Sequence, residues 1–302
     1  MSEDIPFNRE APSPGLLEDL SPGVRRLVAA NGGAFTFTGT CSYIVGRGKV
    51  AIVDPGPDDP AHIAALLAAV RGEDVVAIAV THTHRDHSPA VPALVAATGA
   101  PTYGAGPHRS ARPLHEGEVN LLDAAGDPAF QPDVILADGD SFGPADWPIT
   151  ALATPGHCAN HLAFSLEPDR VLLSGDHVMG WSTSIVAPPD GSMGDYMASL
   201  EKLLGRPERR YFPGHGGPVE QPQPFVRAMI QHRRMRENSI LQALEGGPTP
   251  IATLTAKVYA GLPAGLQGAA ALNLFAHLED LVQRGRVSCE GSPSMTGRYW
   301  LA

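Results

Sequence analysis

The chain is written as short apolar runs that stop abruptly at polar, glycine or proline clusters, a pattern that predicts buried strands feeding loops. Residues 75–80 are one such run. Residues 35–38 alternate apolar and polar positions, 41–45 follow, and Gly46-Arg47-Gly48 supplies a hairpin turn into 50–53. Further strands are predicted over 149–153, 161–166, 171–174 and 210–212. Helical spacing appears over 60–70, over 89–98 with Gly99 placed to cap the end, and through the last quarter of the chain. Residues 1–22, with Pro6, Pro12, Pro14 and Pro22 and little periodicity, are expected to be an irregular lead-in, and 104–132 are expected to be irregular too.

Four of the predicted strands end on side chains that bind metals. The run 75–80 delivers Thr81-His82-Thr83-His84-Arg85-Asp86-His87; 149–153 delivers Thr154-Pro155-Gly156-His157; 171–174 delivers Gly175-Asp176-His177; 210–212 delivers Pro213-Gly214-His215-Gly216. Imidazole nitrogen and carboxylate oxygen are the donors that zinc and its first-row neighbours prefer. Alternate side chains of an extended segment share a face, so His82, His84 and Asp86 point one way and His87 toward a second position. A rigid sheet can aim ligands from distant sequence positions at one point, which is why the repetition carries more than any single histidine.

The first cluster matches the HxHxDH motif of the metallo-β-lactamase-fold superfamily at every position, and TPGH, SGD and PGHG follow in the same order. The chain therefore resembles that superfamily. The resemblance implies an α/β fold, an αββα sandwich, with one metal held by His82, His84 and His157, a second by Asp86, His87 and His215, and Asp176 bridging them. It implies two Zn2+ ions as cofactors, with manganese or iron accepted by the same donors, and Asp54 in its VDPG turn holding a ligand loop from beneath. Two such ions would share a hydroxide as nucleophile, with Asp86 as the catalytic residue that orients it and receives its proton. His177 and Cys158 adjoin ligands and should point away. His161 is placed either in support of the ligands or in the core, Tyr196 in the core, and His108 and His115 on a loop or the surface.

Residues 23–222 thus read as a catalytic domain and 223–302 as a connecting helix and a winged-helix-like module. On the long helix expected over 223–245, Val226, Met229, Ile230, Ile240, Leu241 and Leu244 share one side. Arg233 falls on that side too and needs an acidic partner or a route out to water. Beyond Gly246-Gly247-Pro248, helices over 251–259 and 266–284 and strands over 286–289 and 298–301 make the small C-terminal winged-helix domain. Its candidate recognition helix offers Gln267, Asn273 and Arg284 beside Glu279 and Asp280, a poor set for reading a duplex, so packing against protein is expected. With the stretch His232-Arg233-Arg234-Met235-Arg236-Glu237, this tail resembles the lactamase-β-like-2 branch, one eukaryotic member of which is a mitochondrial endoribonuclease on single-stranded RNA.

Charge narrows the substrate. The 302 residues carry a net charge of −10, and residues 221–302 hold 8 basic against 5 acidic side chains, so the excess acid lies in the catalytic part. Such a field opposes long-range steering of a polyanion even with two metals bound. A small ester, thioester or related acyl substrate is therefore the leading expectation. Single-stranded RNA, suggested by Arg227, Arg233, Arg234 and Arg236, is the alternative, and a non-catalytic metal-stabilised scaffold a third. No apolar run is long enough to span a membrane, the first ten residues are acidic, and three widely spaced cysteines, Cys41, Cys158 and Cys289, suit a reducing cytoplasmic setting. Assembly into a homo-oligomer is left open.

Overall fold

The computed structural model describes residues 5–116, 118–120 and 125–302. Strands β1 (Leu17–Ser21), β2 (Val24–Val28), β3 (Cys41–Arg47), β4 (Lys49–Val53), β5 (Asp74–Ala79), β6 (Thr102–Gly104) and β7 (Val134–Ile135) lie side by side in sequence order. Pairing is antiparallel through β4 and parallel from β4 to β7. A second sheet, ordered β12-β11-β10-β9-β8, holds β8 (Ser141–Phe142), β9 (Ile149–Ala153), β10 (Leu162–Leu166), β11 (Val171–Gly175) and β12 (Arg210–Pro213).

Side-chain alternation stacks these sheets. Tyr43, Val45, Ala51 and Val53 of the first sheet pack with Ile149, Phe164, Leu173 and Phe212 of the second, while their neighbours Ile44, Val50 and Ile52 face outward. That outward face is covered by α1 (Pro60–Ala69) and α2 (Val91–Thr98) through Leu66 and Leu94. On the other side Leu152, Ala163 and Leu172 meet α3 (Met193–Leu203) and α4 (Pro222–Leu244) through Tyr196, Leu200, Phe225 and Met229. The result is the expected αββα sandwich. Each fully buried aliphatic side chain contributes ~1.5–3 kcal/mol over an exposed one, and the sandwich is held chiefly by such burial.

Local chemistry sets the helix ends. Asp59 caps α1 by accepting from Ala61 N at 3.0 Å, with Pro60 at the first position. Helix α2 starts at Val91, two residues later than its spacing suggests, with no side-chain cap at Ala90; Gly99, at φ 69°, closes it as expected.

Two expectations about the first sheet's strands need correction. Residues 35–38 are a turn, not a strand: Gly33 N bonds Phe37 O, Gly39 N bonds Thr36 O, and Phe35 is 55% exposed. Alternation without a partner strand does not suffice to make one. The irregular lead-in ends sooner than residue 22, since Leu17–Ser21 pairs with β2 as a half-exposed edge strand, where acidic Glu18 and Asp19 hid the pattern.

The tail packs α5 (Ile251–Val258) and α6 (Gln267–Gln283) around Ile240, Leu254, Leu274, Leu278 and Tyr299. A small sheet orders β13 (Thr249–Pro250), β15 (Arg298–Leu301) and β14 (Val287–Cys289), of which β13 went unread because it is two residues long beside a proline. Arg233 finds no carboxylate; it donates to Ser184 O and lies 5.0 Å over the Tyr196 ring.

Inside this tail His277 is pushed down to about 3, first by burial and then by the charges of Arg233, His232, Arg284 and Arg236, and His232 falls to about 4 for similar reasons. Below the ordinary histidine value the unfolded chain takes up protons that the folded one refuses, so stability falls as pH drops from about 6.5 toward these values. Thermal melts should therefore show a lower midpoint at pH 5 than at pH 7, with a smaller difference in His277→Gln. An equal difference in both proteins would contradict this.

Candidate metal centre

The four strand ends meet at one edge of the sandwich. Asp54, held at φ 51° just after β4, accepts from Thr81 N at 2.7 Å and Thr81 Oγ1 at 2.8 Å, and so fixes the start of the histidine loop. Having given its proton to Asp54, the Thr81 hydroxyl can only accept from His82 Nδ1, 3.0 Å away, which leaves the His82 Nε2 lone pair facing inward. His157 Nδ1 donates to Ile185 O at 2.6 Å and His215 Nδ1 to Gly39 O at 3.2 Å, with the same consequence for each Nε2. His87 Nδ1 lies 3.1 Å from Asp54 Oδ2 in an ion-pair contact.

These inward atoms form two groups. His84 Nδ1 sits 3.0 Å from His82 Nε2 and 3.0 Å from His157 Nε2. Asp86 Oδ2 sits 3.4 Å from His87 Nε2 and 3.1 Å from His215 Nε2. Asp176 stands between, with Oδ1 3.6 Å from His87 Nε2 and Oδ2 3.3 Å from His215 Nε2 and 3.8 Å from His157 Nε2. Donors ~2.0–2.1 Å from a tetrahedral zinc are ~3.3 Å apart, so both groups have the spacing of a coordination shell. Buried His87 Nε2 and Asp176 Oδ1 have no hydrogen-bond partner in the protein, an expensive state for polar atoms that a cation would relieve. The residues fit a pair of divalent metals.

Electrostatics agree with that fit. Burial, reinforced by neighbouring imidazoles, holds His82 well below the ordinary histidine value and His84 down to about 3, so both stay neutral and able to ligate. Burial also opposes charge on His215 and His87, yet the carboxylates win: Asp176 and Asp86 raise His215 to about 10, and Asp86 and Asp54 raise His87 well above its usual value. Burial would push Asp86 up, but the His87 charge and the bond from His215 keep it well below the carboxylate range. Carboxylates that stabilise protons on these imidazoles favour a divalent cation in the protons' place.

All seven residues singled out from the sequence, His82, His84, Asp86, His87, His157, Asp176 and His215, come together here. His177 and Cys158 belong to none of the metal-holding groups among the described residues. His161 supports the cluster: its Nε2 accepts from Asp176 N at 3.1 Å, and its Nδ1 donates to Thr154 Oγ1 at 2.9 Å. Tyr196 is core, its hydroxyl spent on His177 O. His108 is a loop histidine rather than a surface one: Thr83 Oγ1 lies 2.9 Å from its Nδ1 and Asp190 3.5 Å from its Nε2. The carbonyls of Ile185 and Gly39 were missed altogether, since any residue can supply a carbonyl and no sequence signal marks it.

Residues 35–215 match the family model for the metallo-beta-lactamase superfamily, and 251–300 match the beta-lactamase associated winged helix domain. A lactamase-like protein, adaB, of Aspergillus niger is 30% identical over 303 residues, covering 95% of this chain and 88% of its own length. A beta-lactamase-like protein 2 homolog of Drosophila melanogaster is 30% identical over 278 residues, covering 89% and 90%. A metallo-beta-lactamase family protein from Thermus thermophilus is similar with TM-score 0.74 and 25% identity, covering 94% of this chain and 100% of that one. A beta-lactamase domain protein from Burkholderia ambifaria shares the fold, with TM-score 0.80, 21% identity and coverage of 99% and 97%. The chain therefore belongs to the metallo-β-lactamase superfamily, whose members are generally hydrolases, and carries that family's associated winged-helix domain at its C-terminal end.

Proposed function

We propose that the chain is a binuclear zinc-dependent hydrolase of a small ester, thioester or related acyl substrate, working in the cytoplasm. The observation that carries this reading is the pair of three-donor groups with Asp176 between them. Bound there, two divalent cations supply Lewis acidity and bring the pKa of water toward neutrality, and manganese or iron would suit the same donors.

The chain's own residues do the rest. The Asp86 side chain is 27% exposed, whereas those of His87, His157, Asp176 and His215 are nearly closed off. In this reading it accepts a hydrogen bond from the attacking water, orients it and takes its proton. Asp54 and Thr81 hold the histidine loop still, and Ile185 and Gly39 keep two imidazoles turned inward, so the donors need little reorganisation when substrate arrives.

The acyl reading gains from the fate of the arginines. Arg233 is buried on Ser184 O and Arg236 bonds Val258 O and covers Tyr259, so two of the four helix arginines are spent inside the protein, which leaves Arg227 and the Glu201-paired Arg234 on the exposed side. A panel of nitrophenyl esters, acyl thioesters and labelled single-stranded RNA, run on zinc-loaded and chelator-treated protein, tests the proposal. Turnover of an acyl substrate that stops on chelation and returns with zinc is expected, with the RNA intact. Metal-dependent RNA cleavage without acyl turnover would replace this reading by the alternative.

A further inference from the structure

The loop of residues 184–187 joins the metal cluster to the C-terminal domain. Its carbonyl at Ile185 accepts the Nδ1 proton of His157 at 2.6 Å. Its amide at Val186 donates to the side-chain oxygen of Asn273, on α6, at 3.3 Å. These two groups belong to one peptide unit. Because that unit is planar and trans, holding its N–H fixes the direction of its C=O.

We infer that Asn273 is a positioning residue for His157, so that the winged-helix domain forms part of the wall that sets the metal centre. The side-chain oxygen of Asn273, the Ile185–Val186 peptide and the His157 ring make one hydrogen-bonded row. Each bond polarises the next, which raises the basicity of His157 Nε2 and fixes the ring's orientation. The row does not swing freely, because the neighbouring Ser184 carbonyl is held by Arg233 from α4, and the Ser184 hydroxyl donates to His177 O at 2.9 Å. A second tie, between Arg112 and Glu279, fastens the segment before residue 116 to the same helix. Asn273 sits on a half-exposed face of α6, where the fold does not require an amide, so its acceptor is explained by the peptide it holds.

The inference rests on the reading of His157 as a metal ligand, and its test separates the two. Asn273→Leu keeps the bulk and loses the acceptor; Asn273→Asp keeps an acceptor oxygen. Zinc affinity is measured on full-length protein by competition with a chromophoric chelator, and ligand geometry by the visible spectrum of the cobalt-loaded protein. Asn273→Leu is expected to weaken the affected zinc by about tenfold, the lower end for groups that orient a ligand, and to shift the cobalt bands. Asn273→Asp should stay within about threefold of the original protein, because the acceptor is what counts.

His157→Ala serves as the control. If it leaves zinc affinity unchanged, the reading of His157 as a ligand fails. If it weakens zinc while Asn273→Leu matches the original protein in affinity and spectrum, the positioning role alone is overturned. Equal loss in Asn273→Leu and Asn273→Asp, tracking a fall in melting temperature, would also overturn it by showing a merely structural contact.

Discussion

Replacing His84 with alanine is expected to lower kcat/KM on an acyl substrate by at least about 10³-fold, which is ~4 kcal/mol of transition-state stabilisation. The reason is its central place. His84 Nδ1 is the one atom 3.0 Å from both His82 Nε2 and His157 Nε2, so its removal leaves two donors facing an incomplete shell. The same geometry predicts an unusual stability result. In the metal-free protein three ring nitrogens crowd together, with His82 Nε2 and His157 Nε2 each 3.0 Å from His84 Nδ1, and loss of the His84 ring relieves that crowding. Metal-free His84→Ala should therefore melt no lower than the metal-free original. Steady-state kinetics with melts under chelation check both statements, and a variant keeping a tenth of the activity would contradict the first.

Gly214→Ala should damage the site from behind, without replacing a donor. A Cβ at this position would stand 2.3 Å from Asp176 Oδ1 and 2.8 Å from His87 Cε1. The backbone cannot back away, because Gly214 N bonds Gly175 O at 2.9 Å and its carbonyl accepts from Cys41 N at 2.7 Å. Asp176 must move instead. Overpacking of this kind costs ~1–3 kcal/mol, and a displacement of about 1 Å at a catalytic group lowers rates by roughly 10²-fold. The expected outcome is a loss of about 10²-fold in kcat with a folded protein, read by kinetics beside a thermal melt. A rate equal to the original would show that Asp176 has room to shift and that its position is not critical.

The metal donors were legible because of where they stand in the sequence. Each follows a short apolar run, and β5, β9, β11 and β12 do end where those runs stop. Apolar runs report burial directly, which is why the four strands were found within a residue or two. The layer order followed from the resemblance that the same motifs carried. What escaped was contact made by the backbone or depending on three-dimensional neighbours. The Ile185 carbonyl, the Gly39 carbonyl and the Thr81 hydroxyl fix three imidazoles, yet only the last is a side chain. The contacts of His108 escaped because its partners Thr83 and Asp190 lie 25 and 82 positions away along the chain. A buried guanidinium leads one to look for a carboxylate, and the fold satisfies Arg233 with a carbonyl and an aromatic face, an equally sound way to bury it.

The C-terminal domain gains a role from this arrangement. Its helix α6 packs by Ala276 into the cluster that covers the second sheet, and its Glu279 binds Arg112 from the loop beyond β6. The tail is thus continuous with the catalytic sandwich, and changes on α6 should be felt at the metals.

The central claim is that one chain holds two divalent metals in the donor set of residues 82–87 completed by His157, Asp176 and His215. Zinc titration of the metal-free protein, followed by calorimetry and by metal analysis after gel filtration, tests it most directly. The account predicts about two zinc ions retained per chain and fewer in Asp176→Ala, since that carboxylate touches both groups. Retention of a single ion by the original protein, or an unchanged content in Asp176→Ala, would contradict it.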